Sequence, residues 1–151
     1  MEPQSSLREI NRILKPGGIF STVDCDWPPV SDWRVEKAYT DLFKKVAFIQ
    51  KTDNVVSASF IRWDKAEHLN HIRRSAYFRY AREIVFSNRG KCTAKRMIGL
   101  AESQGGLQGI LKCRPELIES DVEVFVQTVQ AVFRNRIFDI DFDYRMRLGV
   151  K

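Results

Sequence analysis

At 151 residues, 44% hydrophobic and 29% charged, the chain is long enough to bury the core of one domain, for which roughly 100–200 residues is typical, and its composition excludes disordered, collagen-like and low-complexity classes. The apolar runs fall far short of the ~18 residues that cross a bilayer, and Met1, Glu2, Pro3 and Gln4 lead into no basic-then-apolar leader, so the expectation is a cytoplasmic protein with no membrane association. The net charge of +6 is local: residues 64–114 hold 11 Lys and Arg against 4 Asp and Glu, and the rest nearly cancels.

Between Pro3 and Leu14 the apolar residues Leu7, Ile10, Ile13 and Leu14 recur at helical spacing. Lys15-Pro16 disfavours helix continuation, and Gly17-Gly18 permits a tight reversal. Ile19–Val23 is rich in β-formers and predicts a buried strand. Asp24-Cys25-Asp26-Trp27-Pro28-Pro29 then predicts a loop. Ser31 and Asp32 can cap a helix whose stripe is Val35, Ala38, Tyr39, Leu42, Phe43, Val46 and Ile49. Another helix is predicted from Asp64 to about Ser75, with Asp64 and Glu67 in capping positions. Residues 77–86 predict a strand, with Asn88 and Gly90 at its exit turn.

Thr93 caps a further helix, and the stripe Val122, Phe125, Val126, Val129, Val132 and Phe133 predicts one running from Pro115. Gly105, Gly106 and Gly109 between them predict a flexible connector. From Phe138 to Val150 apolar and polar residues alternate strictly, which predicts a long strand with one face buried and a charge-balanced solvent face bearing Asp139, Asp141, Asp143, Arg145 and Arg147. Helix and strand alternate along the chain, as in α/β layered folds. Cys25, Cys92 and Cys113 are odd in number and widely spaced, which points to buried free thiols rather than disulfides or a CxxC site.

The segment Glu9-Ile10-Asn11-Arg12-Ile13-Leu14-Lys15-Pro16-Gly17-Gly18-Ile19-Phe20 closely resembles the entry to the fifth strand of class I S-adenosylmethionine-dependent methyltransferases (methyltransferase type 11-like), where a helix of the form E-x-x-R-x-L-K-P-G-G leads into it. The resemblance implies an α/β fold, a partial Rossmann-like methyltransferase fold whose three-stranded mixed sheet (family strands 5, 7, 6) is flanked by helices. Residues 1–151 would be the carboxyl-terminal part of one methyltransferase domain, with 93–134 a helical insertion or lid. The family's glycine-rich cofactor loop and its acidic partner would lie before Met1. No G-x-G-x-x-G occurs in the chain, and Gly105-Gly106-Leu107-Gln108-Gly109 is not spaced as a phosphate cradle. The complete enzyme of that family uses S-adenosylmethionine. This chain alone is expected to hold no cofactor, to have no cofactor-binding residues, and to be inactive.

Substrate recognition is what such a half would contribute, because ligands of open α/β sheets lie beyond the carboxyl ends of the strands. Asp24 and Asp26 are the candidate general bases, and Trp27, Pro28, Trp33 and Trp63 the candidate substrate-binding residues, indoles being suited to stacking on flat or cationic acceptors. The expected partner is a small-molecule methyl acceptor. The unpaired edge of strand 19–23 further predicts homodimerisation or other association. His68 and His71 stand three apart on a helix without an evident third ligand, so no metal is expected. The alternative is a non-catalytic interaction module, or a basic nucleic-acid-binding domain using the patch at 73–96, where Arg73, Arg74, Arg79, Arg82, Arg89, Lys91, Lys95 and Arg96 interleave with Tyr77, Phe78 and Tyr80. Nucleic acid is disfavoured, since no recognition motif is present.

Overall fold

The computed structural model describes residues 2–58 and 64–151. Along the chain run α1 (Pro3–Ile13), β1 (Ile19–Cys25), α2 (Trp33–Thr52), α3 (Asn54–Ala58), a 3-10 turn at Lys65–Glu67, α4 (His68–Arg74), β2 (Tyr80–Cys92), α5 (Ala94–Glu102), α6 (Gly105–Cys113), α7 (Glu119–Phe133) and β3 (Phe138–Val150). The architecture is α/β, three antiparallel strands flanked by helices. None of the described helices is long and apolar enough to cross a membrane.

The strands lie in the order β1-β3-β2, so the last in sequence is central. β1 and β3 are antiparallel, with Phe20 opposite Gly149, Thr22 opposite Arg147 and Asp24 opposite Arg145. Along β2 and β3 the cross-strand partners count up against down: Ser87 with Asp143, Arg89 with Asp141, Lys91 with Asp139. Central placement of the closing strand is as expected. The sheet is not mixed, however; its neighbours are antiparallel throughout, and its strand order differs from that of a Rossmann sheet.

Long-range pairing moved three boundaries. β1 continues through Asp24 and Cys25, expected in a loop, because Arg145 and Tyr144 of β3 pair with them. β2 begins at Tyr80 and extends to Cys92, past the turn expected at Asn88 and Gly90. There, ion pairs from Arg89 and Lys91 to the acidic face of β3 accompany the ladder. The glycines expected to form a connector open a helix instead, since α6 buries Leu107 and Ile110. Gly106 permits its close approach to α2: a Cβ there would stand 3.0 Å from Gln50 and 3.3 Å from Val46.

The chain divides into two compact units, and β2 and β3 contribute residues to both. The first comprises the described residues within 1–27, 62–88 and 143–151. Its core is Leu7, Ile72 and Phe78, with Ile10, Leu14, Phe20, Tyr77 and Ala81 packed around them. Glu2 accepts from the amides of Gln4 and Ser5 at the start of α1. At its other end the ammonium of Lys151 donates to the carbonyls of Leu14, at 2.8 Å, and Asn11, supplying the positive charge that a helix carboxyl terminus favours.

The second unit comprises the described residues within 28–61 and 89–142. Here the expected stripes meet: Val35, Tyr39, Leu42, Val46 and Ile49 of α2 are buried, as are Phe125, Val129, Val132 and Phe133 of α7. Tyr39 meets Phe125 edge to face at 6.1 Å. Segment 93–134 therefore contributes to a core of its own unit. Asp32 caps α2, and the Arg34 side chain and amide that it binds draw its carboxyl down to about 2. Of the three thiols, Cys92 is buried as expected, Cys25 half-buried and Cys113 exposed.

Candidate functional site

The Leu14–Phe20 stretch folds as its residues require. Gly17 adopts φ +79°, a left-handed conformation in which glycine carries no steric cost. A Cβ on Gly18 would stand 2.8 Å from the Lys15 carbonyl. Gly17 N–H donates to Lys151 O at 2.9 Å and Lys151 N–H to Gly18 O at 3.0 Å, which ties the reversal to the end of the sheet.

β1 then delivers Asp24 to a charged cluster within the first unit. Asp24 Oδ2 accepts from Arg147 Nη1 at 2.8 Å, and Arg147 Nε donates to Glu83 Oε2 at 2.7 Å. Arg145 Nη1 reaches Glu83 Oε1 at 3.3 Å, and its Nε donates to Asp26 Oδ2 at 2.8 Å. Lys65 Nζ pairs with Asp24 Oδ1 at 2.8 Å. Three carboxylates thus meet three cations, a balance that makes the burial of charge tolerable. His68 Nε2 stands 3.9 Å from Asp24 Oδ2. Burial holds its pKa below the ordinary 6.5, against the pull of Asp24 in the other direction.

Arg147 is 5% exposed. The charge-balanced face expected to meet solvent along all of β3 is therefore corrected at this residue. α1 and α4 pack over the face that carries Phe20, Thr22 and Asp24, and Arg147 shares that face with them. Farther along β3 the expectation holds in part, since Asp139 and Asp141 pair with exposed Lys91 and Arg89. The Arg89 guanidinium holds the Asp141 carboxyl below its ordinary value.

The structure brings Asp24 and Asp26 together through the two arginines and Glu83. Their exposures differ: the Asp24 side chain is 15% exposed with both oxygens engaged, whereas that of Asp26 is 42% exposed and pairs with Arg145. Trp27 is half-buried and belongs to the same unit. Pro28 and Trp33 belong to the second unit. Trp33, 71% exposed, lines a hollow of about 430 Å³ between α2 and α7, with Leu42, Val124 and Phe125. Trp63 lies outside the described residues. Sequence reasoning missed Glu83, Arg145, Arg147, Lys65 and His68 as members of the cluster. The alternation of β3 already placed Arg145 and Arg147 on one face, and that was the available signal.

A second feature of the first unit is a cavity of about 300 Å³ bounded by α1, β1 and α4. His68 and His71 line it. Among the described residues no group of three or more His, Cys, Asp or Glu side chains is placed to hold a metal ion. No protein-family model matches the chain, and no curated protein matches it.

Proposed function

We propose that the chain supplies the acceptor-facing part of an S-adenosylmethionine-dependent methyltransferase, with the cofactor held by elements other than those of this chain. The observation that carries the reading is the segment Glu9–Phe20, in which helix, Pro-Gly-Gly reversal and strand follow one another in the order of the family's motif. The central position of the last strand, antiparallel to its neighbour β1, supports it.

The Gly17-Gly18 turn does not fit the cofactor. The amides of Gly17 and Gly18 are engaged by the carbonyls of Lys151 and Lys15, so this turn offers no free backbone donors for a nucleotide cradle. In this reading the residues of the chain act on the acceptor alone. Asp26, the more exposed carboxylate, accepts a hydrogen bond or proton from it. Asp24 is a positioning residue, its two oxygens holding Lys65 and Arg147.

The competing nucleic-acid reading loses part of its patch. Arg89 and Lys91 are engaged by Asp141 and Asp139, and Arg96 lies over the Phe142 ring at 5.4 Å.

Isothermal titration of S-adenosylmethionine into the isolated chain tests the proposal, alongside the reading frame upstream of Met1. No heat is expected from the chain alone. The upstream frame is expected to encode a glycine-rich strand-loop-helix, and the longer product to bind the cofactor. Micromolar binding by the isolated chain, or an upstream frame without such a loop, overturns the reading.

A further inference from the structure

The cavity bounded by α1, β1 and α4 has a volume of about 300 Å³, at the lower end of the roughly 300–1,000 Å³ of small-molecule pockets. Leu7, Ile10, Phe20 and Ile72 give it an apolar wall, and Thr22 and His68 are its polar members nearest Asp24. The placement of Thr22 follows from β1: it shares a face with Phe20 and Asp24 and lies between them, opposite Arg147.

Two observations distinguish this space from a packing gap. Thr22 Oγ1 is closed off from solvent and has no hydrogen-bond partner among the described residues, although buried hydroxyls are as a rule satisfied. In the observed rotamer the hydroxyl is turned away from the open space. A rotation of about 120° about χ1, which carries the hydroxyl to the place of the methyl and the methyl to that of the Cβ hydrogen, turns it toward a molecule in the cavity. At the Asp24 end, moreover, the wall offers no free counter-charge. The ionisable wall member beside Asp24 is His68, burial favours its neutral form, and the Asp24 carboxylate is engaged by Arg147 and Lys65. A charged ligand would lose its hydration there without compensation.

The geometry points to a binding site for a small neutral molecule with a ring-sized apolar body and one hydroxyl group, the body against Leu7, Phe20 and Ile72 and the hydroxyl on Thr22. This requires neither a cofactor nor a methyl acceptor, so it stands or falls separately from the methyltransferase reading.

The test compares 4-ethylphenol with ethylbenzene, titrated into the ¹⁵N-labelled full chain and followed by amide shifts. Saturable shifts at Leu7, Phe20, Thr22 and Ile72 are expected with 4-ethylphenol, with ethylbenzene binding about fivefold more weakly for want of the hydrogen bond. Thr22→Val, which keeps the shape and removes the hydroxyl, is expected to close that gap. Ile10→Trp, which fills the space, is expected to abolish the shifts. Absence of saturable shifts at millimolar 4-ethylphenol, equal affinity for the two probes, or a gap that persists in Thr22→Val overturns the inference. The comparison of the two probes on the unmodified chain decides it even where a variant fails to fold.

Discussion

Arg147 lies 2.8 Å from Asp24, which stands 123 positions earlier in the chain, and its Nε donates to Glu83. A 5% exposed guanidinium is thus held by carboxylates from both edge strands of the sheet. Substitution of Arg147 by Met keeps most of its packing volume but leaves Asp24 to Lys65 and Glu83 to Arg145. Breaking a fully buried pair costs about 3–5 kcal/mol. Here partial hydration of the carboxylates reduces the cost to about 2 kcal/mol. Urea denaturation is the check, and a midpoint equal to that of the unmodified chain would contradict the assignment. Arg147→Lys is expected to recover little, because an ammonium cannot span two carboxylates as a guanidinium fork does.

Gly149 stands opposite Phe20 beneath the core of the first unit. A Cβ there would come within 2.8 Å of the Phe78 ring and 2.9 Å of Ile72. Gly149→Ala is expected to destabilise by about 1–3 kcal/mol through overpacking, despite the usual preference of a strand interior for alanine. Pairing it with Phe78→Leu relieves the clash, so the double variant is expected to be more stable than the sum of the single effects requires. Additive single effects would refute this.

His68 makes the stability of the first unit depend on pH. Its pKa in the folded state is depressed by burial below the ordinary 6.5, so the folded state binds the proton less readily than the unfolded state does. The contribution is therefore fully present above pH 6.5 and is lost as pH falls through the folded-state value. Thermal melts from pH 8 down to pH 5 are expected to show a decline that His68→Gln flattens. An imidazole titration by NMR with a midpoint above 6.5 would reverse the sign and disprove the prediction.

In the second unit, neighbouring positions on α7 should behave oppositely. Phe125 is 1% exposed and packs against Tyr39, whereas Val124 is 62% exposed. Phe125→Ala is expected to cost about 3–5 kcal/mol, and Val124→Ala less than about 0.5 kcal/mol. Circular dichroism melts distinguish the two, and similar losses at both positions would show that the face of α7 is misassigned.

Much of the secondary structure was legible because its causes are local. The alternation from Phe138 to Val150 predicted β3 with both ends correct. The stripe from Val35 to Ile49 and the Asp32 cap predicted α2, since side-chain periodicity and capping act over a few residues. Asn88 and Gly90 misled for the same reason: their local preference is for a turn, and pairing with β3 outweighed it.

The site was legible only in its first members. Asp24 and Asp26 stand out in the sequence because two acids follow an apolar run. Nothing nearby in the chain marks Glu83 or Arg147 as their companions, and the 123 positions between Asp24 and Arg147 and the 64 between Glu83 and Arg147 are bridged only when β3 enters between β1 and β2.

By itself, then, the sequence determined α1, α2, α4, α5 and α7, the closing strand, the uneven charge and the Pro-Gly-Gly reversal, all of which follow from steric and hydrophobic rules acting between near neighbours. The tertiary structure alone decided how far β1 and β2 extend, which charges neutralise one another, and that a cavity lies beneath α1 beside an unsatisfied Thr22 hydroxyl. Register and voids are properties of how distant surfaces meet, and no local preference encodes them.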